Sequence, residues 1–290
     1  MTSFDLPVHE NSENSTWRAE NILLYHGDCR VVLPSLEANS VDMVLTSPPY
    51  WHKIDYLLGP GQMGLEPTPT DYLARLSPVL QELLRVTKPG GSFLLNIGDT
   101  YNNYSPLLAE GGDRKEADFS RQSTRRKLQP GYIEKEPIGI PEMVKQAARA
   151  AGWLHRANLI WVKGHSADIP NSDRPSCIHE DVFYFLKPTD GRRTMAQYFN
   201  SEAVPSSVLQ CAPTQTKGHR CPFPVALARQ LVEGFCPPGG VVLDPFAGHG
   251  GIPKGAIDAG RCAIGIEMQG DNFAQAVARC QVGQPEIVAV

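Results

Sequence analysis

Long apolar runs are absent from this 290-residue sequence. A membrane-spanning helix needs about 20 consecutive apolar residues, and no segment approaches that length. The first 20 residues are polar and lack the apolar core of a signal peptide. A cytoplasmic protein is therefore expected.

Paired cysteines and a general excess of positive charge are missing as well. The seven cysteines are scattered and none forms a CxxC pair, so reduced thiols are expected and a structural zinc site is not. The net charge of −4 excludes a protein covered with positive charge but allows a local patch that contacts phosphates. One such patch lies within 113–127, and its basic residues are Arg114, Lys115, Arg121, Arg125, Arg126 and Lys127.

Three widespread catalytic patterns are not present either. The sequence has no G-x-S-x-G turn of a serine hydrolase, no Walker phosphate loop and no H-E-x-x-H zinc helix. Its eight histidines are dispersed, and no metal is expected. These absences argue against the corresponding hydrolases, nucleotidases and zinc peptidases.

What the sequence does contain is an alternation of short apolar runs with helical patterns. This alternation predicts an α/β fold with a doubly wound, seven-stranded, mostly parallel sheet. The predicted strands are Ile22–His26, Asp42–Thr46, Ser92–Ile97, Ala157–Val162, Asp181–Leu186, Val241–Leu243 and Ala263–Ile266.

Capping residues, prolines and glycines predict three helices between these strands. Thr70 is the predicted cap of a helix over 70–86, with a kink or an interruption at Pro78. The other two helices are predicted over 141–152 and 220–234.

Two long stretches, 100–137 and 187–217, lack any helical or strand periodicity. Irregular loops of this length inside a compact α/β domain usually carry function, so both are candidates for substrate contact. We expect a polar tail over 1–20 and one domain over 21–290.

A buried strand is predicted to run into a glycine-rich turn in Val241–Gly251, which reads VVLDPFAGHGG. Gly248 and Gly250 let the backbone adopt positive φ and come close to a ligand. Glu267 follows at the end of the next strand, where nucleotide-binding α/β folds place an acid that accepts hydrogen bonds from a ribose. A dehydrogenase loop has a third glycine where this sequence has Pro253, and a turn without a ligand is the other alternative.

The strand that ends at Thr46 runs into a rigid Ser-Pro-Pro-Tyr turn, followed by Trp51. Ligands of open parallel sheets bind at this end of the strands. The two prolines have no N–H group, and their carbonyls stay available as acceptors. Ser47 adds a hydroxyl group, and Tyr50 and Trp51 add aromatic faces. This set suits a flat base with an amino group, while a stiff turn around a buried tyrosine is the alternative.

The two motifs together resemble those of DNA amino-methyltransferases. Thr-Ser-Pro-Pro-Tyr resembles their catalytic motif, which carries Ser, Asn or Asp before Pro-Pro and an aromatic residue, and Asp-Pro-Phe-Ala-Gly-x-Gly resembles their cofactor loop. The catalytic motif precedes the cofactor loop, as in the circularly permuted group called beta. The resemblance runs over about 21–279 and implies a permuted, Rossmann-like methyltransferase fold with S-adenosyl-L-methionine as cofactor.

The resemblance also implies a role for each motif residue. Ser47 and the Pro48 carbonyl hold the amino group of a flipped cytosine, Pro49 fixes the turn, and Tyr50 stacks on the base. Glu267 binds the ribose of the cofactor and Asp28 lies near its adenine. The full set of implied cofactor residues is Asp28, Asp244, Pro245, Phe246, Gly248, Gly250 and Glu267. The sequence departs from the family at His249, near which Ser or Thr is usual.

The expected activity is therefore site-specific methylation of duplex DNA at N4 of cytosine, since Ser rather than Asp precedes Pro-Pro-Tyr. Adenine N6 is the alternative target, and a nucleotide-dependent oxidoreductase and a non-catalytic DNA-binding module are the remaining hypotheses. Trp51 and the basic residues of 113–127 are predicted to contact DNA, with 100–137 as a DNA-contacting loop and 187–217 as a short target-recognition region. A cognate restriction endonuclease and a homodimer are the further partners considered.

Overall fold

Nine strands form a single mixed sheet in the computed structural model, which describes residues 15–103, 128–164, 173–189, 195–213 and 222–281. The strands are β1 (Ser15–Ala19), β2 (Ile22–His26), β3 (Val41–Thr46), β4 (Thr87–Ile97), β5 (Leu154–Val162), β6 (His179–Leu186), β7 (Val208–Gln210), β8 (Val241–Asp244) and β9 (Cys262–Glu267). Their order across the sheet is β1-β2-β9-β8-β3-β4-β6-β5-β7. Within this sheet β1 and β6 run against their neighbours, and the other seven strands share one direction.

All seven predicted strands are present, and the sheet has two more, one at each edge. The expectation that 1–20 is only a polar tail is wrong for its last residues, because β1 pairs antiparallel with β2. β1 is short and only one of its five residues is buried, so its sequence lacks the apolar signal of a strand. At the opposite edge, β7 has three residues, too few for an alternating pattern to be recognised.

Six helices occur in the described residues. They are α1 (Cys29–Val32), α2 (Pro69–Val86), α3 (Ile140–Ala150), α4 (Val225–Phe235), α5 (Gly251–Asp258) and α6 (Gly270–Gln281), with 3-10 turns at Leu33–Ser35 and Gly59–Gly61. None of these helices combines the length and apolarity that a membrane crossing demands.

The helix predictions need three corrections. The cap of α2 is Thr68 rather than Thr70, since the Thr68 hydroxyl accepts from the Asp71 N–H. The helix also continues through Pro78, because the buried side chains around that position anchor both halves in the core. Finally, α4 begins at Val225 and not at 220, directly after the N-cap Pro224. The helix predicted over 141–152 is present as α3, which ends at Ala150, and Gly152 follows its C-cap with a φ of 106°.

The two faces of the sheet are covered by different helices. Helices α1, α2 and α3 contribute to one apolar core, and α4, α5 and α6 contribute to the other. The central strand β3 feeds both cores, with Val44 on one face and Met43 and Leu45 on the other. Because both faces are buried, this strand is apolar almost throughout, as parallel strands commonly are.

One edge of the sheet collects the residues that the sequence singled out. The seven strands that share a direction end there, and we call this the carboxyl edge. The last residues of five of them, β3, β4, β5, β8 and β9, are Thr46, Ile97, Val162, Asp244 and Glu267. Strand β6 runs the other way and therefore begins at this edge with His179. The loops at the carboxyl edge of an open α/β sheet are where ligands bind.

The first part of the stretch 187–217 lies at the opposite edge of the sheet. The Lys187 ammonium donates to the Asn39 side chain, before the start of β3. The Gln197 N–H donates to the Gly90 carbonyl, near the start of β4. These described residues before β7 thus lie at the edge opposite to the Ser-Pro-Pro-Tyr turn, and the target-recognition role of 187–217 stays a prediction. Only after β7, which runs parallel to β5, does the chain return to the carboxyl edge.

Candidate active site

The Ser-Pro-Pro-Tyr turn, Ser47–Tyr50, leaves β3 at the carboxyl edge beside the glycine-rich turn that follows β8. A buried hydrogen bond joins the two: the Thr46 hydroxyl donates to the Asp244 carboxylate at 2.7 Å. The same carboxylate oxygen accepts from the Phe246 N–H at 3.1 Å. The two predicted motifs, about 200 residues apart in sequence, therefore form one site.

Tyr50 connects the turn to β4 and β6. Its hydroxyl lies 3.2 Å from the Ser47 hydroxyl, 2.9 Å from the Asn96 side-chain oxygen and 3.0 Å from Oε2 of Glu180. The other carboxylate oxygen of Glu180 accepts from the ammonium of Lys163, at the end of β5. The Ser47 hydroxyl thus stands at one end of a chain of polar groups that crosses three strands.

Residues behind the turn hold it in place. The Tyr72 hydroxyl, on α2, donates to the Pro49 carbonyl at 3.0 Å, and Tyr72 itself is fully buried. The Thr100 hydroxyl donates to the Trp51 carbonyl at 2.7 Å. Helix α2 and the chain after β4 thus fix the backbone of the turn from two sides.

The structure corrects the predicted DNA contact of Trp51. This side chain is only 3% exposed, and its indole N–H donates to the Glu66 carbonyl at 2.9 Å. A side chain held in this way has no face to offer to a base or a phosphate. Trp51 instead braces the turn from within the core.

The glycine-rich turn has the backbone that a closely bound ligand requires. Gly248 has a φ of 51°, and none of the described residues lies within 4 Å of the place where a β-carbon would stand. Gly250 has a φ of 74° and packs against α6, so that a β-carbon would stand 2.9 Å from the Cα of Ala276. Gly248 therefore faces open space, whereas Gly250 is needed for packing.

Glu267, at the end of β9, lies directly under this turn. Its Oε2 accepts from the Gly248 N–H at 2.8 Å, and its Oε1 accepts from the Gln269 N–H at 2.8 Å. A carboxylate has about four acceptor positions, so these bonds leave capacity for the hydroxyl groups of a ribose. Asp28 comes to the same edge, because β2 pairs in parallel with β9.

Burial perturbs the acids of the site. Loss of solvent raises the pKa of Asp244 to about 7, against the opposing hydrogen bonds from Thr46 and Phe246. Burial also raises the pKa of Glu267. For Asp28, burial acts upward, but hydrogen bonds from Arg30 outweigh it and lower the pKa. Asp28 also caps α1 by accepting from the Arg30 N–H at 2.9 Å.

His249, where the sequence departs from the resembling family, is a buried structural partner of α6. Its Nε2 lies 2.8 Å from the Asn272 side-chain oxygen, and burial lowers its pKa. This contact links the glycine-rich turn to α6. The departure therefore changes the support of the turn and leaves Gly248 and Glu267 in contact.

Five residues of the site were not predicted as such: Thr46, Asn96, Lys163, Glu180 and Asn272. Thr46 and Lys163 carry a recognisable signal, since each stands at or just after the carboxyl end of a predicted strand. Glu180 stands near the start of its strand, and only the direction of β6 brings it here. The six basic residues predicted to contact DNA, between 114 and 127, lie outside the described residues. Within the described residues, no group of three or more His, Cys, Asp or Glu side chains is placed to hold a metal ion.

Comparisons with known proteins identify the family of the chain. Residues 41–278 match the DNA methylase family N6_N4_Mtase. The chain is 31% identical over 282 residues to Type II methyltransferase M.XycI of Xanthomonas campestris pv. cyanopsidis, covering 92% of this chain and 90% of that protein. It is 31% identical over 262 residues to Type II methyltransferase M.SmaI of Serratia marcescens, covering 83% and 85%.

Two solved structures share the fold. TTHA0409, a candidate DNA modification methylase from Thermus thermophilus solved with S-adenosyl-L-methionine, superposes with a TM-score of 0.61 at 26% identity, over 89% of this chain and 93% of that one. The PvuII DNA methyltransferase, which is cytosine-N4-specific, superposes with a TM-score of 0.66 at 18% identity, over 92% and 88%. The latter likeness concerns the fold alone.

The cofactor is S-adenosyl-L-methionine, and the residues present fit it. Open space at Gly248 admits a ligand close to the backbone, and Glu267 offers acceptors for its ribose. The family match argues against the two other hypotheses, a dehydrogenase and a DNA-binding module without catalysis. The chain belongs to the N6_N4_Mtase family and is an S-adenosyl-L-methionine-dependent DNA methyltransferase.

Proposed function

We propose that this enzyme methylates N4 of a cytosine that is flipped out of duplex DNA at a specific site. The observation that carries the proposal is the position of Ser47. Its hydroxyl group opens the Ser-Pro-Pro-Tyr turn one residue after Thr46, which is bonded to Asp244 of the glycine-rich turn. A neutral hydroxyl group at this point supports cytosine, as the resemblance implies, because adenine-directed relatives more often carry an acid there.

The chemistry requires acceptors around the target amino group. With the cofactor bound, the target amino nitrogen would gain a methyl group and would release one proton to the solvent. When bound, the cofactor supplies this methyl group on a positively charged sulfur. We assign Ser47 Oγ and the Pro48 carbonyl as acceptors that align the amino hydrogens, with Tyr50 stacking on the base. The Tyr72 bond to the Pro49 carbonyl supports this division, since Pro49 serves to anchor the turn.

The proposal includes the circularly permuted arrangement called beta. Two features support it: the catalytic turn precedes the cofactor turn in the chain, and β8 and β9 lie between β2 and β3 in the sheet. If β8 and β9 are counted as the first two strands, then β2, β3 and β4 follow as the third, fourth and fifth. Strands β5 and β6 become the sixth and seventh, with the seventh reversed.

The roles of the cofactor residues are part of the same proposal. We assign Glu267 to the ribose, Asp28 to the neighbourhood of the adenine, and the backbone of Gly248 to close contact. The remaining residues assigned to the cofactor pocket are Asp244, Pro245, Phe246 and Gly250. The half-buried ring of Phe246 supports a packing contact there.

The partners of the enzyme are proposed from its relatives and its charge. The enzyme acts on DNA, and we assign phosphate contacts to the basic residues of 113–127 within the loop 100–137. Recognition of the target sequence is assigned to this loop and to the residues after β7. Relatives described as type II methyltransferases support a cognate restriction endonuclease. A homodimer remains a proposal.

The identity of the methylated base provides the test. The purified protein is incubated with mixed-sequence duplex DNA and S-adenosyl-L-methionine, and the digested nucleosides are separated by mass spectrometry. We expect 4-methylcytosine, and 6-methyladenine as the sole product contradicts the proposal. Ser47→Ala is expected to lower turnover at least about 100-fold, as loss of a preorganised polar group commonly does. Ser40→Ala, just before the other end of β3, is the matched control, because its hydroxyl donates locally to the Glu37 carbonyl.

A further inference from the structure

The geometry points to Glu180, held by Lys163, as a positioning residue that sets the direction of the hydroxyl protons of Tyr50 and Ser47. It presents Ser47 to the target amino group as an acceptor. This inference rests on the proposed contact between Ser47 and the amino group. It adds the reason why a serine, whose hydroxyl can donate or accept, is committed to accepting.

The orientation of the Asn96 amide is the first step. Its Nδ2 lies 3.0 Å from the carbonyl of Asp181 and 3.2 Å from Oε2 of Glu180. A backbone carbonyl and an ionised carboxylate can only accept hydrogen bonds. The two N–H groups of Asn96 are therefore both directed towards β6. Its oxygen is then the atom that faces Tyr50, at 2.9 Å.

The single phenolic proton of Tyr50 is the second step. Among the described residues, two acceptors face the Tyr50 hydroxyl, the Asn96 oxygen at 2.9 Å and Oε2 of Glu180 at 3.0 Å. The single proton is therefore directed at one of these two acceptors or shared between them, since neither can donate. Towards Ser47, at 3.2 Å, the phenolic oxygen then acts as the acceptor and the Ser47 hydroxyl as the donor. The Ser47 proton is thereby used, and the lone pairs of its oxygen are left for an incoming N–H donor.

The ion pair with Lys163 makes the direction stable. The Lys163 and Glu180 side chains are 17% and 16% exposed, and the ammonium contacts Oε1 of Glu180. A paired, ionised carboxylate accepts at both oxygens, which keeps Oε2 as an acceptor towards Tyr50. The Lys163 ammonium also lies 4.8 Å from the centre of the Trp161 ring, which fixes it further.

Replacing Glu180 by Gln turns one acceptor of this hydrogen-bonded chain into a donor. The amide oxygen faces the Lys163 ammonium, so the amide N–H groups face Tyr50 and Asn96. Tyr50 then receives a second donor in competition with Ser47, and the Ser47 proton is free to point at the target amino group. We expect Glu180→Gln to lower kcat at least about 10-fold, with little change in KM for DNA or in the Kd of S-adenosyl-L-methionine.

A double-mutant cycle separates positioning from simple structural support. Rates of methyl incorporation are measured for the parent, Glu180→Gln, Tyr50→Phe and the double variant. If Glu180 acts through the Tyr50 hydroxyl, the double variant is no slower than Tyr50→Phe alone, within about twofold. Glu233→Gln, which breaks an ion pair with Arg229 on α4, is the matched control and should keep the parent's rate. Additive losses, or a Glu180→Gln rate within twofold of the parent, overturn the inference.

The test stays decisive if a variant fails to fold. Thermal unfolding and cofactor affinity are measured first, and if Glu180→Gln is unfolded, Lys163→Met replaces it in the same cycle with the same expected lack of additivity. Incorporation of methyl groups is counted without regard to the base. A parent that yields 6-methyladenine therefore refutes the cytosine proposal, while the cycle independently refutes or supports the role of Glu180.

Discussion

Asp244 is an acid held almost completely out of water, with 1% of its surface exposed. Burial raises its pKa to about 7, whereas in the unfolded chain the group titrates near its ordinary value of 3.8. The folded state therefore binds the proton more tightly. Stability from this proton is fully present below the unfolded pKa and is lost as the pH rises through about 7.

A pH series of unfolding measurements tests this effect. The free energy of unfolding of the parent should fall relative to that of Asp244→Asn between pH 4 and 7, by up to about 1.4 kcal/mol per pH unit. Asn keeps the shape of the side chain and cannot ionise. Asp258→Asn, an exposed acid of α5, is the control and should leave the pH dependence unchanged. Parallel curves for the parent and Asp244→Asn contradict the assignment.

At the scale of single residues, the motif residues are predictable from the sequence, but the residues that hydrogen-bond to them from other strands are not. Ser47 and Gly248 lie in short sequence motifs that indicate their function directly. Asn96 and Glu180 have no such pattern, because their roles depend on hydrogen bonds across strands that are 46 and 130 residues away from Tyr50 in sequence. The predicted DNA contact of Trp51 is wrong because a neighbouring motif does not indicate whether a side chain is exposed or buried.

Among the elements, the glycine-rich turn between β8 and α5 separates ligand contact from packing. Gly248 faces open space, and Gly250 faces the backbone of α6. Both have a left-handed φ, which costs an alanine roughly 1–2 kcal/mol. Only at Gly250 does the added β-carbon also meet protein atoms, so the two substitutions should have different main effects.

Alanine substitutions at the two glycines test this separation. Gly248→Ala is expected to weaken S-adenosyl-L-methionine binding at least about 10-fold, because its β-carbon enters the space assigned to the cofactor. Gly250→Ala is expected to lower the free energy of unfolding by more than Gly248→Ala does, since strain and a clash with Ala276 add together. Calorimetry and chemical unfolding measure the two quantities. Equal cofactor affinity in Gly248→Ala and the parent contradicts the assignment.

The central elements were predictable because both of their faces are buried, and their apolar runs are therefore continuous. β1 and β7 escaped prediction because edge strands are short and half exposed. The stretch 187–217 is predicted to have a single function, although its one described strand, β7, runs from one edge of the sheet towards the other. Irregular sequence carries no information about which edge it lies on.

For the whole molecule, the net charge of −4 means that DNA must be held by a local concentration of positive charge. The segment 113–127 has six basic residues and three acidic ones, and it follows β4, which ends at the carboxyl edge. Phosphate contacts from this segment release counterions and make binding depend on salt.

Substitution of Arg125, Arg126 and Lys127 by Ala should weaken duplex binding. The slope of log affinity against log salt should shrink by roughly 0.9 per lost phosphate contact, with the affinity for S-adenosyl-L-methionine unchanged. A triple alanine variant at Arg149, Arg156 and Lys187 is the control, because these residues lie towards the opposite edge of the sheet. Parent-like affinity and salt slope in the first variant refute the phosphate contacts.

The reversal of β6 has a consequence for how this architecture can diversify. A connection between parallel strands must run back from the carboxyl ends to the amino ends of the strands, whereas β5 and β6 are antiparallel and their connection leaves and re-enters at the same edge. Val162 and His179 are paired at its base. The length of this connection is therefore not constrained by any distance across the sheet. A segment inserted or exchanged there would change the residues offered at the carboxyl edge without disturbing the pairing of β5 with β6, which holds Glu180 in place.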